Sequence, residues 1–131
     1  MYNFNVENAT AACIEWIREW FEKNGKGCNA IVGISGGKDS SVVAALCCAA
    51  LGKDRVFGVL MPAGEQFDID CSYQLVKHLG IDSVTINVGS TIDALKDAVG
   101  AQLGSLTPQS AQNIPPRIRM ATLYAVSQSK N

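Results

Sequence analysis

Two stretches of this chain are apolar without interruption: Ala30-Ile31-Val32-Gly33-Ile34 and Val56-Phe57-Gly58-Val59-Leu60-Met61. A strand with one wet face alternates apolar and polar residues. A strand that is apolar throughout has both faces covered, the usual condition of a parallel sheet between helical layers. The segments around these strands carry the helical period. Residues 7–24 repeat apolar groups at Cys13, Trp16, Ile17, Trp20 and Phe21, and Asn24-Gly25 supplies a stop. Trp16 and Trp20, one turn apart, are expected to pack this helix on a core. Further helices are expected over residues 40–51, ending at Gly52, and over 68–79, ending at Gly80. A third strand is expected over 83–88. Ser90-Thr91-Ile92-Asp93 resembles a capping box and would start a helix reaching Gln102. Residues 104–112, polar and containing Pro108, read as a flexible surface loop, and Pro115-Pro116 as the start of a last helix running to the end. This alternation predicts an α/β fold: a three-layer parallel sheet with helices on both faces and right-handed crossovers.

At 131 residues, 47% hydrophobic and 18% charged, the chain fits one globular domain. Its net charge of −1 argues against broad attraction to nucleic acid or membrane, so an anionic ligand must be held locally. No apolar run has membrane-spanning length, and Met1-Tyr2-Asn3-Phe4-Asn5 lacks the basic-then-apolar order of a signal peptide. The five cysteines are odd in number and form no C-x-x-C, which points away from a disulfide framework or a zinc ribbon and toward a reducing cytoplasm. His78, the single histidine, reads as a last-turn helix residue facing the negative dipole end.

Between the first strand and the second helix lies Ser35-Gly36-Gly37-Lys38-Asp39-Ser40. A strand, a small-residue turn and a helix start make an anion site, because adjacent glycines admit close backbone approach and the first helical turn offers free N–H groups. Ligands of open parallel sheets bind at this carboxyl end of the strands. Asp39 would repel a phosphate unless a cation lies between, so its presence argues for a Mg²⁺-nucleotide. Two better-known phosphate motifs fail. G-x-x-x-x-G-K-[ST] is broken by Val32 and Asp39, and the loose G-x-G-x-x-A of residues 25–30 precedes its strand.

The order S-G-G-x-D-S resembles the pyrophosphate loop of the ATP pyrophosphatase superfamily, which splits ATP into AMP and pyrophosphate. Three segments narrow the resemblance: Gly33-Ile34-Ser35-Gly36-Gly37-Lys38-Asp39-Ser40, Met61-Pro62-Ala63-Gly64-Glu65-Gln66, and Asn113-Ile114-Pro115-Pro116-Arg117-Ile118-Arg119-Met120. In this order and spacing they are similar to ammonia-dependent NAD⁺ synthetase, along nearly the whole chain. The resemblance implies an adenine nucleotide alpha hydrolase-like (Rossmann-like) fold and a ligase that amidates deamido-NAD⁺ with ammonia through an acyl adenylate. It places ATP on Gly33, Ile34, Ser35, Gly36, Gly37, Lys38, Asp39 and Ser40. Asp39 is implied as the Mg²⁺ ligand and, with Lys38 in a supporting role, as a catalytic group. Arg117 is implied as a contact of deamido-NAD⁺. Arg119, about 200° around the helix from Arg117, is expected to serve structure, and Gln66 to line the nucleotide pocket. A homodimer is implied, with the apolar last helix shared between partners.

The family domain is longer. Past the N-x-x-x-R-x-R-M helix it has a further strand, a G-T-x-N-x-x-E-like segment and more helices, none of which is present here. Residues 1–131 are therefore expected to be the N-terminal portion of such a domain, with residues 1–25 as a leading helix and 30–131 as the nucleotide-binding part, incomplete and possessing half of an active site. Two alternatives stay open: another AMP-forming ATP pyrophosphatase, similar to GMP synthetase, or a non-catalytic nucleotide-binding or dimerisation module.

Overall fold

A computed structural model describes residues 4–65 and 69–130. The expected strands form one sheet of order β1-β2-β3, with β1 at Ala30–Ile34, β2 at Val56–Leu60 and β3 at Asp82–Thr85. Both pairings are parallel: Ala30 stands beside Val56, and Phe57 beside Asp82. Helix α1 spans Val6–Asn24, α2 Lys38–Leu51, α3 Ile69–Leu79, α4 Gly89–Leu103 and α5 Pro108–Lys130. Asn5 caps α1, its side chain accepting from the Asn8 amide at 2.8 Å.

Side-chain alternation along each strand divides the core in two. Ala30, Val32, Ile34, Val56 and Leu60 face α1, α2 and α3 and pack with Ala44 and Cys47. Val59 and Met61 face the other way, toward α4 and α5, and pack with Val88, Ile92, Ile118 and Leu123. Period-two alternation with an apolar residue on each face is what produced the uninterrupted runs. The result is the expected three-layer sandwich. Burial pushes the Cys47 thiol up from its ordinary value, with Cys48 adding to the effect, so this thiol behaves as an apolar filler. None of the five cysteines is joined in a disulfide.

Several expectations give way. The third strand is shorter than residues 83–88 and ends at Thr85, beyond which the Ile86 and Val88 amides still donate to the Leu60 and Pro62 carbonyls at the end of β2. No capping box starts α4: its N-cap is Val88, which has no side-chain cap bond. The supposed loop at 104–112 is helical from Pro108 onward. Thr107 caps that helix by accepting from the Ser110 amide at 3.2 Å, and Pro108 takes the first-turn position that needs no N–H donor.

Pro115 and Pro116 therefore stand inside α5 rather than at its start. Each removes one helical hydrogen bond. The helix continues because Ile114 and Ile118, on either side of the prolines, anchor it on the second core. The tryptophans also depart from expectation. Ile17 and Phe21 dock α1 on the core, whereas Trp16 is 64% exposed and Trp20 46%. Trp20 instead meets the Phe21 ring edge-on, with centroids 5.3 Å apart. No described helix is long and apolar enough to cross a membrane.

Candidate functional site

Helices α2 and α3 connect successive strands on one face, and α4 with α5 then return across the other. β1 is thus the strand whose carboxyl end opens between α2 and α5. An open cleft of about 660 Å³ lies there. Gly33, Ile34 and Ser35 bring β1 into it, Met61, Ala63 and Glu65 line it from the end of β2, and Pro116, Arg119, Met120 and Leu123 line it from α5. Gly33 eases this approach: a Cβ there would lie 3.2 Å from Leu123 Cδ1 and 3.3 Å from Met61 Cε, so both side chains would have to give.

The glycine loop is braced from within. Gly36 has φ +81°, a conformation natural to glycine, and Gly37 is the extended N-cap of α2. Ser40 Oγ accepts from the Ser35 amide at 3.2 Å and donates to the Gly37 carbonyl at 3.1 Å. Since Ser40 has one hydroxyl proton, Ser35 Oγ is the donor in the 3.0 Å contact between the two hydroxyls. Ser35 Oγ in turn accepts from the Gly37 amide at 3.3 Å. The hydroxyls are occupied inside the loop, so its offer to an anion is backbone amide. Lys38, Asp39 and Ser40 occupy the first turn of α2, where N–H groups lack an i−4 carbonyl and the helix dipole is positive.

Lys38 and Asp39 project into solvent and pair at 2.7 Å, with side chains 88% and 90% exposed. An exposed pair of this kind holds weakly and leaves the carboxylate free to turn. Among the described residues no group of three His, Cys, Asp or Glu side chains comes together to enclose a metal. Asp39 as a lone hard-oxygen donor fits a cation that is held chiefly by substrate phosphates, the usual mode for Mg²⁺, and does not fit an all-protein cage.

The two arginines of α5 lie in different surroundings. Arg119 is half-buried, lines the cleft and donates from Nε to the Met61 carbonyl at 3.0 Å, tying α5 to the end of β2. Its partner is a backbone carbonyl. Arg117 is exposed and is not among the cleft-lining residues. Gln66 lies outside the described residues. One residue missed by sequence reasoning is Asn87, which bonds the turn bearing Gly64 and Glu65. The sequence placed it inside the expected strand over 83–88, where nothing marked it out.

The family model described as NAD synthase matches residues 9–131. The chain is 34% identical over 129 residues to the NH₃-dependent NAD⁺ synthetase of Pyrococcus furiosus, covering 98% of this chain and 47% of that protein. It is 38% identical to the enzyme of the same name from Thermococcus sibiricus, covering 100% of this chain and 50% of that one. Among solved structures it resembles the NH₃-dependent NAD synthetase of Campylobacter jejuni, solved with a nitrate ion. That likeness has a TM-score of 0.84 and 32% identity and covers 98% of this chain and 54% of that one. The chain thus spans about half the length of the curated relatives it matches. With the glycine loop at the carboxyl end of β1 and a match over nearly every residue, the chain belongs to the NAD synthase family.

Proposed function

We propose that this chain supplies the ATP-handling half of an ammonia-dependent NAD⁺ synthetase. The observation that carries the reading is the glycine loop, which begins at Gly33, Ile34 and Ser35 in a cleft whose other walls are mostly apolar, with Glu65 and Arg119 as their charged members. One part suits a polyphosphate and the other a nucleoside. In the reaction, a carboxylate oxygen of deamido-NAD⁺ attacks the α-phosphorus of ATP, the bond from that phosphorus to the bridging oxygen breaks, and pyrophosphate leaves. Ammonia then attacks the acyl carbon, AMP departs, and loss of a proton gives the amide of NAD⁺. Charge builds on the departing pyrophosphate, and the first-turn amides of Lys38, Asp39 and Ser40 are aimed to stabilise it.

Bound Mg²⁺ would neutralise phosphate charge in the ground and transition states. Asp39 is the residue we assign to hold it, with Lys38 as a mobile positive charge beside it. Arg117, exposed on α5, is assigned to deamido-NAD⁺. Exposed Met120 and Tyr124 on the same helix support a homodimer formed through α5, and five cysteines outside any disulfide support a cytoplasmic setting.

The chain is tested with Mg²⁺-ATP, ammonia and deamido-NAD⁺. Formation of NAD⁺, AMP and pyrophosphate is the expected result for the complete activity. ATP binding without turnover is the result expected of an ATP-handling half on its own and is shared with the non-catalytic nucleotide-binding reading, for which half-length coverage is the supporting observation. Absence of ATP binding sinks both. Asp39→Ala is expected to weaken Mg²⁺-ATP binding about tenfold, roughly 1.4 kcal/mol. Equal affinities for Mg²⁺-ATP in the two proteins would remove Asp39 from the metal site.

A further inference from the structure

The turn that forms the second wall of the cleft is held by a residue that does not line it. After β2 the chain passes through residues 61–65, with Gly64 at φ +80°. Asn87 stands two residues beyond β3. Its Oδ1 accepts from the Gly64 amide at 3.1 Å and from the Gly89 amide at 2.9 Å, while its Nδ2 donates to the Gly64 carbonyl at 3.2 Å. One side-chain amide thus takes both backbone groups of Gly64. Reversing that amide would set its NH₂ against two N–H donors, so the orientation is determined by the partners. The Ile86 amide bonds the Leu60 carbonyl and the Val88 amide bonds the Pro62 carbonyl, each at 2.8 Å, so the clamp continues a backbone ladder. The fit is close: a Cβ on Gly89 would stand 2.8 Å from the Gly64 nitrogen.

We propose that Asn87 is a positioning residue for the nucleoside end of ATP, acting through the 61–65 turn. This assignment rests on the nucleotide reading of the cleft. The phosphates go to the amide-rich loop, and the remaining space, between Ile34, Met61, Ala63 and Leu123 with Glu65 and Arg119 as its polar members, offers an apolar floor that suits the face of a base. That space exists only while the turn keeps its distance from the glycine loop. A loosened turn must be ordered during binding, which lowers apparent affinity by the fraction of molecules already competent. Inorganic pyrophosphate, which needs the glycine loop alone, escapes that penalty.

Titration calorimetry of the 131-residue chain with Mg²⁺-ATP and, separately, Mg²⁺-pyrophosphate separates the two effects. Asn87→Ala is expected to weaken ATP binding about 3- to 10-fold, from loss of exposed hydrogen bonds, and to leave pyrophosphate within about twofold. Gly89→Ala keeps the Asn87 side chain but sets a Cβ 2.8 Å from the Gly64 nitrogen and 3.1 Å from Asn87 Oδ1, forcing the same contact apart, and the same selective loss is expected. Circular dichroism verifies folding, and if one variant does not fold the other decides. Unchanged ATP affinity in a folded variant, or equal weakening of both ligands, overturns the role of Asn87. A parent chain that binds neither ligand overturns the nucleotide reading and the role of Asn87 with it, a result distinct from a parent that binds both while its variants match it.

Discussion

Two loops lie side by side at the carboxyl ends of β1 and β2, and they are held in opposite ways. The loop of residues 35–40 is braced by its own serines, in contacts no more than five residues apart in sequence. The 61–65 turn is braced by Asn87, which is 23 residues from Gly64. A locally braced loop keeps its shape wherever its strand and helix form. A turn braced at a distance takes shape only when β3 has paired with β2. The first loop is therefore a transferable motif, and the second is a product of the fold.

The strongest way to break this contrast is to attack what both loops share. Gly33→Val places a branched side chain against Leu123 and Met61, and overpacking of this kind costs about 1–3 kcal/mol. The urea midpoint is expected to fall, with binding of both pyrophosphate and ATP weakened as α5 is pushed from β1. An unchanged midpoint would mean that α5 approaches less closely than this geometry requires.

Ser40→Ala tests the first loop alone. It removes the hydroxyl that joins the Ser35 amide to the Gly37 carbonyl, and affinity for both ligands should fall together by about 3- to 10-fold. Calorimetry beside Asn87→Ala sharpens the comparison, since selectivity toward ATP is expected only for the distant brace. A loss confined to ATP would show that the serines do not shape the pyrophosphate site.

The smallest effect concerns the support beneath the first loop. Cys47 and Cys48 on α2 have thiol pKa values raised, for each chiefly by burial. A raised pKa favours the protonated folded form, so this stability is fully present below the ordinary thiol range and is lost as pH rises through and above it. The melting temperature should drift down over that alkaline window, and less so in Cys47→Ala after correction for its lower starting value. An identical slope in both proteins would separate the thiol from α2 anchoring.

How much of this could be read beforehand depends on how local each cause is. The first two strands, the glycine loop and the α1 stop follow from neighbouring residues, and they lie where expected. The start of α5 was equally local: Thr107-Pro108 is an N-cap and first-turn pair, overshadowed by the more conspicuous Pro115-Pro116. The persistence of helix through those prolines was not local, because Ile114 and Ile118 hold it only against a core contributed by other elements. The exposure of Trp16 and Trp20 was likewise undecided by period. An amphipathic stripe shows which residues are apolar but leaves open which edge of the stripe meets the neighbour, here Ile17 and Phe21.

By itself the sequence determined the layer architecture and the glycine loop, since uninterrupted apolar strands demand cover on both faces and the S-G-G-x-D-S order braces itself. Only the tertiary structure decided the rest of the cleft. Arg119 was placed within it and Arg117 outside by the rotation of α5 on its core contacts, and Gly64 was tied to Asn87 by strand pairing. The physical reason is range. Backbone preference and hydroxyl bonding act within a few residues, whereas the width of a cleft is set by packing between segments that sequence separates.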